Sequence, residues 1–318
     1  MSRIVVLGGA GFLGSHLCDA LVKREDEVVA VDNFSTGSKN NLQQLNNVKN
    51  FSVVDADICE PIEIAGRVDL VLNFASPASP KKYLQIPIQT LQAGSLGTEN
   101  AVQLALKNNA RLIMASTSEV YGDPLTSPQS ETYFGNVNPI GVRSCYDEAK
   151  RFAEALLMAH SRVSGLNLGI VRIFNTYGPR LDPDDGRVVS TLISQAVSNQ
   201  DLTVHGDGKQ SRSFCYVDDL IRGVIALADS NEIGPINLGN DKEISVLELA
   251  NLVLKINQSS NKITFTQAMD DDPQQRCPDL TLAKSKLNWS PTISVEYGLS
   301  RTIEWFRSIR HEDRQLFR

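Results

Sequence analysis

Ile4-Val5-Val6-Leu7-Gly8-Gly9-Ala10-Gly11-Phe12-Leu13-Gly14 stands three residues into the chain, and its reading decides the fold. Four apolar residues run into a glycine-rich turn, and apolar residues then recur at helical spacing over 13–23. An uninterrupted apolar strand suits burial on both faces, as in a parallel sheet. Gly8, Gly11 and Gly14 have GxxGxxG spacing, a variant of the dinucleotide fingerprint. Glycines there permit a tight turn, close approach of backbone to a pyrophosphate, and close packing of helix on strand. The helix that follows aims its N-terminus at the pyrophosphate. Asp32 ends the next apolar run 18 residues beyond Gly14, near the spacing of about 20 expected for a carboxylate that accepts ribose hydroxyls. That acid repels a 2′-phosphate, and no arginine directly follows it, so the reading is NAD rather than NADP. A lone glycine turn beside a surface acid is the bland alternative. The strand before, the helix after and the acid beyond outweigh it together.

Working outward, continuous apolar runs at 28–31, 51–54, 70–74, 112–115 and 168–173 read as further buried strands. Residues 98–107 and 146–164 carry helical spacing. The alternation predicts an α/β fold, a Rossmann-type doubly wound parallel sheet with right-handed crossovers. After a Pro-, Asp- and Gly-rich loop at 178–186, helices are expected from Val188 and over 218–228, 245–256 and 295–309. The 218–228 helix is expected to be capped by one of its two aspartates. Residues 1–176 are read as the NAD-binding domain, joined by returning segments near 215–240. Residues 177–318 are read as mainly a smaller C-terminal substrate-binding domain.

A chain of 318 residues fits two domains at about 150 residues each. Its 37 acids against 31 bases argue against a nucleic-acid partner, whose phosphates need clustered Lys and Arg. Five scattered cysteines without a CxxC pair argue against a disulfide framework, and four scattered histidines against a metal site. No stretch reaches the roughly 18 apolar residues of a membrane helix, and the first strand leaves no room for a leader. A cytoplasmic protein is expected.

Tyr146 and Lys150 lie four apart on a predicted helix and so share a face. An ammonium about 4 Å from the phenol, at an effective dielectric of about 20, is worth roughly 4 kcal/mol, or about three pK units. That brings a phenol towards the neutral range where proton transfer works best. YxxxK alone is common on helix surfaces. Ser116-Thr117-Ser118-Glu119, directly after a strand, adds hydroxyls at the carboxyl end of a sheet, where open α/β folds bind ligands.

GGAGFLG, STSEVYG and YxxxK together resemble the extended short-chain dehydrogenase/reductase superfamily. Finer blocks are similar to the UDP-glucuronate decarboxylase (UDP-xylose synthase) family, from about residue 3 to about 306. They are Asn33-Phe34-Ser35-Thr36-Gly37, Ala75-Ser76-Pro77-Ala78-Ser79-Pro80, RSCYDEAK from Arg143, RIFNTYGPR from Arg172, and Asp271-Asp272-Pro273. Asn73-Phe74 and Val142 depart from the usual His-Leu and Pro without removing a catalytic group.

The resemblance implies tightly held NAD, contacted by Gly8, Gly11, Phe12, Leu13, Gly14, Asp32, Asn33, Ser35, Thr36 and Gly37. Asp57 and Ile58 would border the adenine, and Phe74, Ala75, Ser76, Tyr146, Lys150 and Thr176 the nicotinamide side. It implies oxidation of the sugar at C4 with Tyr146 taking the hydroxyl proton, loss of carboxylate from the β-keto acid, protonation at C5 and reduction back to UDP-xylose. Thr117 would hydrogen-bond at the C4 oxygen, and Glu119 would serve as a base or orient water near C5. Ser118 stands where related 4,6-dehydratases usually carry an acid, so dehydration is disfavoured. Arg276 would meet the substrate carboxylate or phosphate, and Arg212 the diphosphate. Asn175 and Arg180 would face the substrate, with Tyr83, Val188 and Thr203 contacting carboxylate, uracil or ribose. A homodimer through a four-helix bundle of helices 94–108 and 146–164 is expected, without the N-terminal membrane anchor of many relatives. Three alternatives stay open: a UDP-sugar 4-epimerase, a decarboxylase that releases UDP-4-keto-pentose, and a catalytically silent dinucleotide-binding regulator.

Overall fold

The computed structural model describes residues 1–267 and 275–309 of the chain, so the Asp271-Asp272-Pro273 block lies outside the described residues. Seven strands form the central sheet: β1 (Arg3–Leu7), β2 (Glu27–Asp32), β3 (Phe51–Asp55), β4 (Leu70–Asn73), β5 (Arg111–Thr117), β6 (Leu168–Ile173) and β7 (Ile236–Leu238). All neighbours pair in parallel, in the order β7-β6-β5-β4-β1-β2-β3. The winding reverses between β1 and β4, and such a switch point opens a crevice at the carboxyl ends of the strands.

The helices that matter for the site are α1 (Phe12–Lys23), α2 (Pro80–Gln85), α3 (Pro87–Gly94), α4 (Leu96–Asn108), α5 (Ser144–Ser164), α6 (Val188–Val197) and α7 (Val217–Ala228). Period-two alternation splits the strand residues between two apolar layers. Ile4 and Val6 pack with Leu17 of α1 and Val224 of α7. Val5 and Leu7 pack on the opposite face with Val102 of α4 and Leu157 of α5. The second half adds α6, the parallel pair Leu202–His205 with Ile263–Thr266, and the strand Ser211–Ser213 between Glu243–Ser245 and Gln275–Arg276.

Two differences from the sequence reading have plain causes. α2 and α3 both begin with proline, which is pre-organised for the first helical turn, where its missing N–H costs nothing. The expected aspartate cap on α7 is a correction: Tyr216 occupies the cap position and no side chain caps the helix. Asp219 is instead buried and accepts the N–H groups of Thr292 and Ile293, both at 2.8 Å. Two distant backbone donors in a dry interior outcompete the local cap.

All five cysteines are free. Among the described residues no group of His, Cys, Asp and Glu is arranged to hold a metal ion, and no helix is long and apolar enough to cross a membrane.

Gly14 carries the tightest constraint in the glycine turn, since a Cβ there would lie 2.0 Å from the Gly8 carbonyl oxygen. Gly14→Ala is expected to cost about 1–3 kcal/mol as an overpacked contact and to lower Tm by several degrees. A thermal melt with unmoved Tm would show that the turn yields freely.

Candidate active site

A cleft of about 500 Å³ opens at the switch point between the sheet and the second half of the chain. Gly8, Gly11, Phe12, Leu13 and Gly14 form part of its wall, with Thr36, Phe74, Ser76 and Thr176 nearby on the same lining. Gly8 has φ +78°, and a Cβ there would meet the Ala75 backbone at 2.7 Å. Gly11 caps α1 without any side-chain acceptor, which leaves the first-turn N–H groups available to an anion. Asp32 ends β2, with one carboxylate oxygen accepting the Ala10 N–H at 2.9 Å and the other the Phe34 N–H at 2.8 Å. Burial pushes its carboxyl up and those two bonds pull it back. A backbone cradle closed to side chains, an open helix N-terminus and an acid at the next strand end fit a dinucleotide with a free ribose diol.

Other expected cofactor contacts are not on the lining. Asn33 donates to Asp57 at 3.0 Å, a pair that links the ends of β2 and β3. Gly37 lies against the Asp32 carboxylate, Ile58 against Gly97 of α4, and Ala75 behind Gly8. Ser35 donates its N–H to Asn33 at 3.0 Å. Asn33, Ser35 and Asp57 are exposed beside the carboxyl ends of β2 and β3.

On the opposite side β5 delivers Thr117 and passes into a short turn, Ser118–Tyr121, where the Thr117 hydroxyl accepts the Glu119 N–H at 3.2 Å. Tyr146 and Lys150 project from α5 into the same cleft. Tyr83 stacks on Tyr146 with ring centroids 5.1 Å apart and planes 5° apart. Its own hydroxyl is buried without a partner. Lys150 donates to the Ala115 carbonyl at 2.9 Å, and its Nζ stands 5.8 Å from the Tyr146 ring centroid.

Lys150 thus stands beside the Tyr146 ring with one of its N–H groups bonded to the strand carbonyl. Burial pushes Tyr146 up to about 12, against a hydrogen bond from Thr117 and the charge of Arg187. Burial also drives Lys150 down to about 8, opposed by Glu154. Both shifts express one cost, that of charge in a dry site.

Glu119 is gripped by ion pairs from Arg143 and Arg276. Burial works against its charge, but the two guanidinium groups win and hold the carboxyl below its usual range. A carboxylate so held orients its partners better than it takes a proton. Asp147, beside Tyr146, is instead pushed up to about 7 by burial and by repulsion from Glu119.

Ser118, Tyr83, Asn175, Val188, Thr203 and Arg212 line the cleft. The Thr203 hydroxyl accepts from Gln195 at 3.1 Å, and Arg212 donates to the Ser211 carbonyl at 2.8 Å. Arg180 reaches the lining too, but its guanidinium pairs with Asp19 of α1. Charged groups that the sequence does not single out include Arg143 and Arg187, on the lining, and Asp147, next to Tyr146 in the chain. Arg143 precedes Tyr146 by three residues, so helical spacing could have found it. Arg187, which pairs with buried Asp185, carries no local signal that joins it to Tyr146. A more open groove between residues 240–255 and 291–296 lies apart and holds none of the residues above.

Comparison with known proteins bears on what this cleft does. The chain matches the NAD dependent epimerase/dehydratase family over residues 4–239. It is 51% identical over 312 residues to UDP-glucuronic acid decarboxylase 1 of Arabidopsis thaliana, which covers 98% of this chain and 71% of the relative. It is 48% identical over 305 residues to UDP-glucuronic acid decarboxylase 1 of Xenopus tropicalis, covering 96% and 72%. Among solved structures, UDP-glucuronic acid 4-epimerase from Bacillus cereus, in complex with UDP-glucuronic acid and NAD, superposes with a TM-score of 0.84. That pair is 28% identical, with 97% of this chain and 100% of the other covered. Matched along most of its length and sharing about half its residues with curated relatives over nearly all of it, the chain belongs to the NAD dependent epimerase/dehydratase family, among its UDP-glucuronic acid decarboxylases.

Proposed function

We propose that the protein decarboxylates UDP-glucuronate to UDP-xylose, using NAD that is regenerated within each cycle. One juxtaposition carries this reading: a phenol–threonine pair and a buried arginine clamp share the cleft that the glycine turn closes. Bound NAD supplies reversible oxidation at the sugar C4, so that the acid becomes a β-keto acid. The glycine turn, Asp32, Thr36, Phe74, Ser76 and Thr176 would hold it. Tyr146 takes the C4 hydroxyl proton and later returns it, helped by the Thr117 hydrogen bond and by nearby cationic groups. As carbon dioxide departs, charge gathers on the C4 oxygen, where Thr117 and Tyr146 donate hydrogen bonds to it. Arg276 and Arg143, which both pair with Glu119, would meet the substrate carboxylate. Ser118 offers no acid to expel a hydroxyl, which argues against dehydration. Arg212, Asn175, Val188, Thr203 and Tyr83 are read as contacts to the rest of the UDP-sugar.

A 4-epimerase is the second reading, favoured by the likeness to a UDP-glucuronic acid 4-epimerase, though at much lower identity than to the decarboxylases. We also read residues 1–176 with the returning β7 region as the dinucleotide half, and the cytoplasm as the compartment. A homodimer through α4 and α5 accords with exposed apolar side chains on both, Leu96 at 52%, Phe152 at 50% and Val163 at 86%.

Purified protein incubated with UDP-glucuronate and no added reductant is expected to release one carbon dioxide and yield a UDP-pentose, followed by mass. An unshortened six-carbon acid as the product would favour epimerisation, and an accumulating UDP-4-keto-pentose would favour early release. Tyr146→Phe is expected to lower kcat by roughly 10²- to 10⁴-fold while the protein keeps its NAD. Full turnover by that variant would remove Tyr146 from the chemistry. Leu96→Glu combined with Phe152→Glu is expected to turn a dimer into monomers in sedimentation velocity, and a wild-type monomer would sink that assembly.

A further inference from the structure

Arg276 enters the cleft from a segment with little regular structure of its own, a two-residue strand, Gln275–Arg276, followed by Cys277-Pro278-Asp279. The loop after β5 grips it at both ends. At the side-chain end, the guanidinium pairs with Glu119 and donates to the Gly122 carbonyl at 3.1 Å. At the backbone end stands Gln129, which is 0% exposed and is not on the cleft lining.

Gln129 binds Cys277 twice and Asp279 once. Its N–H donates to the Cys277 carbonyl at 2.8 Å, its Oε1 accepts the Cys277 N–H at 2.9 Å, and its carbonyl accepts the Asp279 N–H at 2.9 Å. Its Nε2 donates to the Thr126 carbonyl at 2.6 Å, which turns the acceptor end of the amide towards Cys277. The Gln129 carbonyl also accepts from Asn237 of β7 at 2.9 Å. Asn237 in turn accepts from Tyr121, Tyr121 from Arg172 of β6, and Arg172 pairs with Glu154, one turn beyond Lys150 on α5. The backbone that carries Arg276 is thereby registered against β6, β7 and the helix that carries Tyr146. A buried polar network of this kind rigidifies what it joins when its members are satisfied.

We infer that Gln129 is a positioning residue that sets the Arg276 guanidinium relative to Tyr146 and affects turnover through Arg276. This rests on the reading of Arg276 as the partner of the substrate carboxylate. The test is a double-mutant cycle on the full chain carrying NAD, with Gln129→Met, Arg276→Ala and the pair assayed on UDP-glucuronate. Methionine keeps the length of the side chain and removes both amide bonds. Gln129→Met is expected to lower kcat/KM roughly ten- to hundredfold, as a displacement of about 1 Å does, with bound NAD unchanged. In the Arg276→Ala background the same substitution is expected to have no further effect. Equal losses in both backgrounds, or no loss at all, would overturn the inference and leave Gln129 a plain fold contact or a bystander. A fully active Arg276→Ala protein would instead overturn the reading of Arg276, and this inference with it. If Gln129→Met does not fold, Gln129→Glu, held neutral by the dry site, keeps an acceptor for the Cys277 N–H and a donor to the Thr126 carbonyl. It is expected to retain most of the turnover, and a tenfold loss in a folded Glu variant would count against the proposal.

Discussion

The Glu119 carboxylate between Arg143 and Arg276 is the interaction on which the site depends. It joins three parts of the chain that otherwise share no element: the turn after β5, the entry to α5 and the short strand Gln275–Arg276 in the second half. A mostly buried charge is tolerable only when paired, and removing one partner of such a pair typically costs about 3–5 kcal/mol. Closing this triad brings two guanidinium groups into the cleft that holds Tyr146. The same geometry explains why Glu119 reads as an organiser of cations more than as a proton acceptor.

Burial sets the remaining electrostatics. Tyr146 is pushed up to about 12 and Lys150 down to about 8 by the same reluctance of the interior to hold charge. Asp147, with Glu119 nearby, rises to about 7. A base that takes the C4 hydroxyl proton as the sugar is oxidised must first be ionised, so the burial that opposes its charge has to be offset within the cleft. The hydrogen bond from Thr117 and the charge of Arg187 favour the ionised phenol against that cost. Lys150, tied to the Ala115 carbonyl, fixes the floor of the site.

Much of the cleft was legible in the linear chain where the signal was local. The apolar run into Gly8, Gly11 and Gly14 placed β1, the turn and α1 correctly, and residues 112–115 marked the strand that delivers Thr117. The two helices that begin at Pro80 and Pro87 leave no decisive local signal, because proline suits a first helical turn as well as a loop. Asp219 looked like a cap because the cap rule considers only neighbours. Its true partners, at Thr292 and Ile293, lie more than seventy residues away.

What the sequence by itself determined is the strand–glycine–helix unit, the alternation behind the doubly wound sheet and the shared face of Tyr146 and Lys150. Each follows from steric and periodic rules that act within a few residues. Only the tertiary structure decided which charges face one another. Glu119 meets Arg143 across 24 positions and Arg276 across 157, and Lys150 bonds a strand carbonyl 35 positions away. The reason is physical: the cost of burying a charge is met by whichever partner the packed core brings within reach, and sequence distance does not enter that choice.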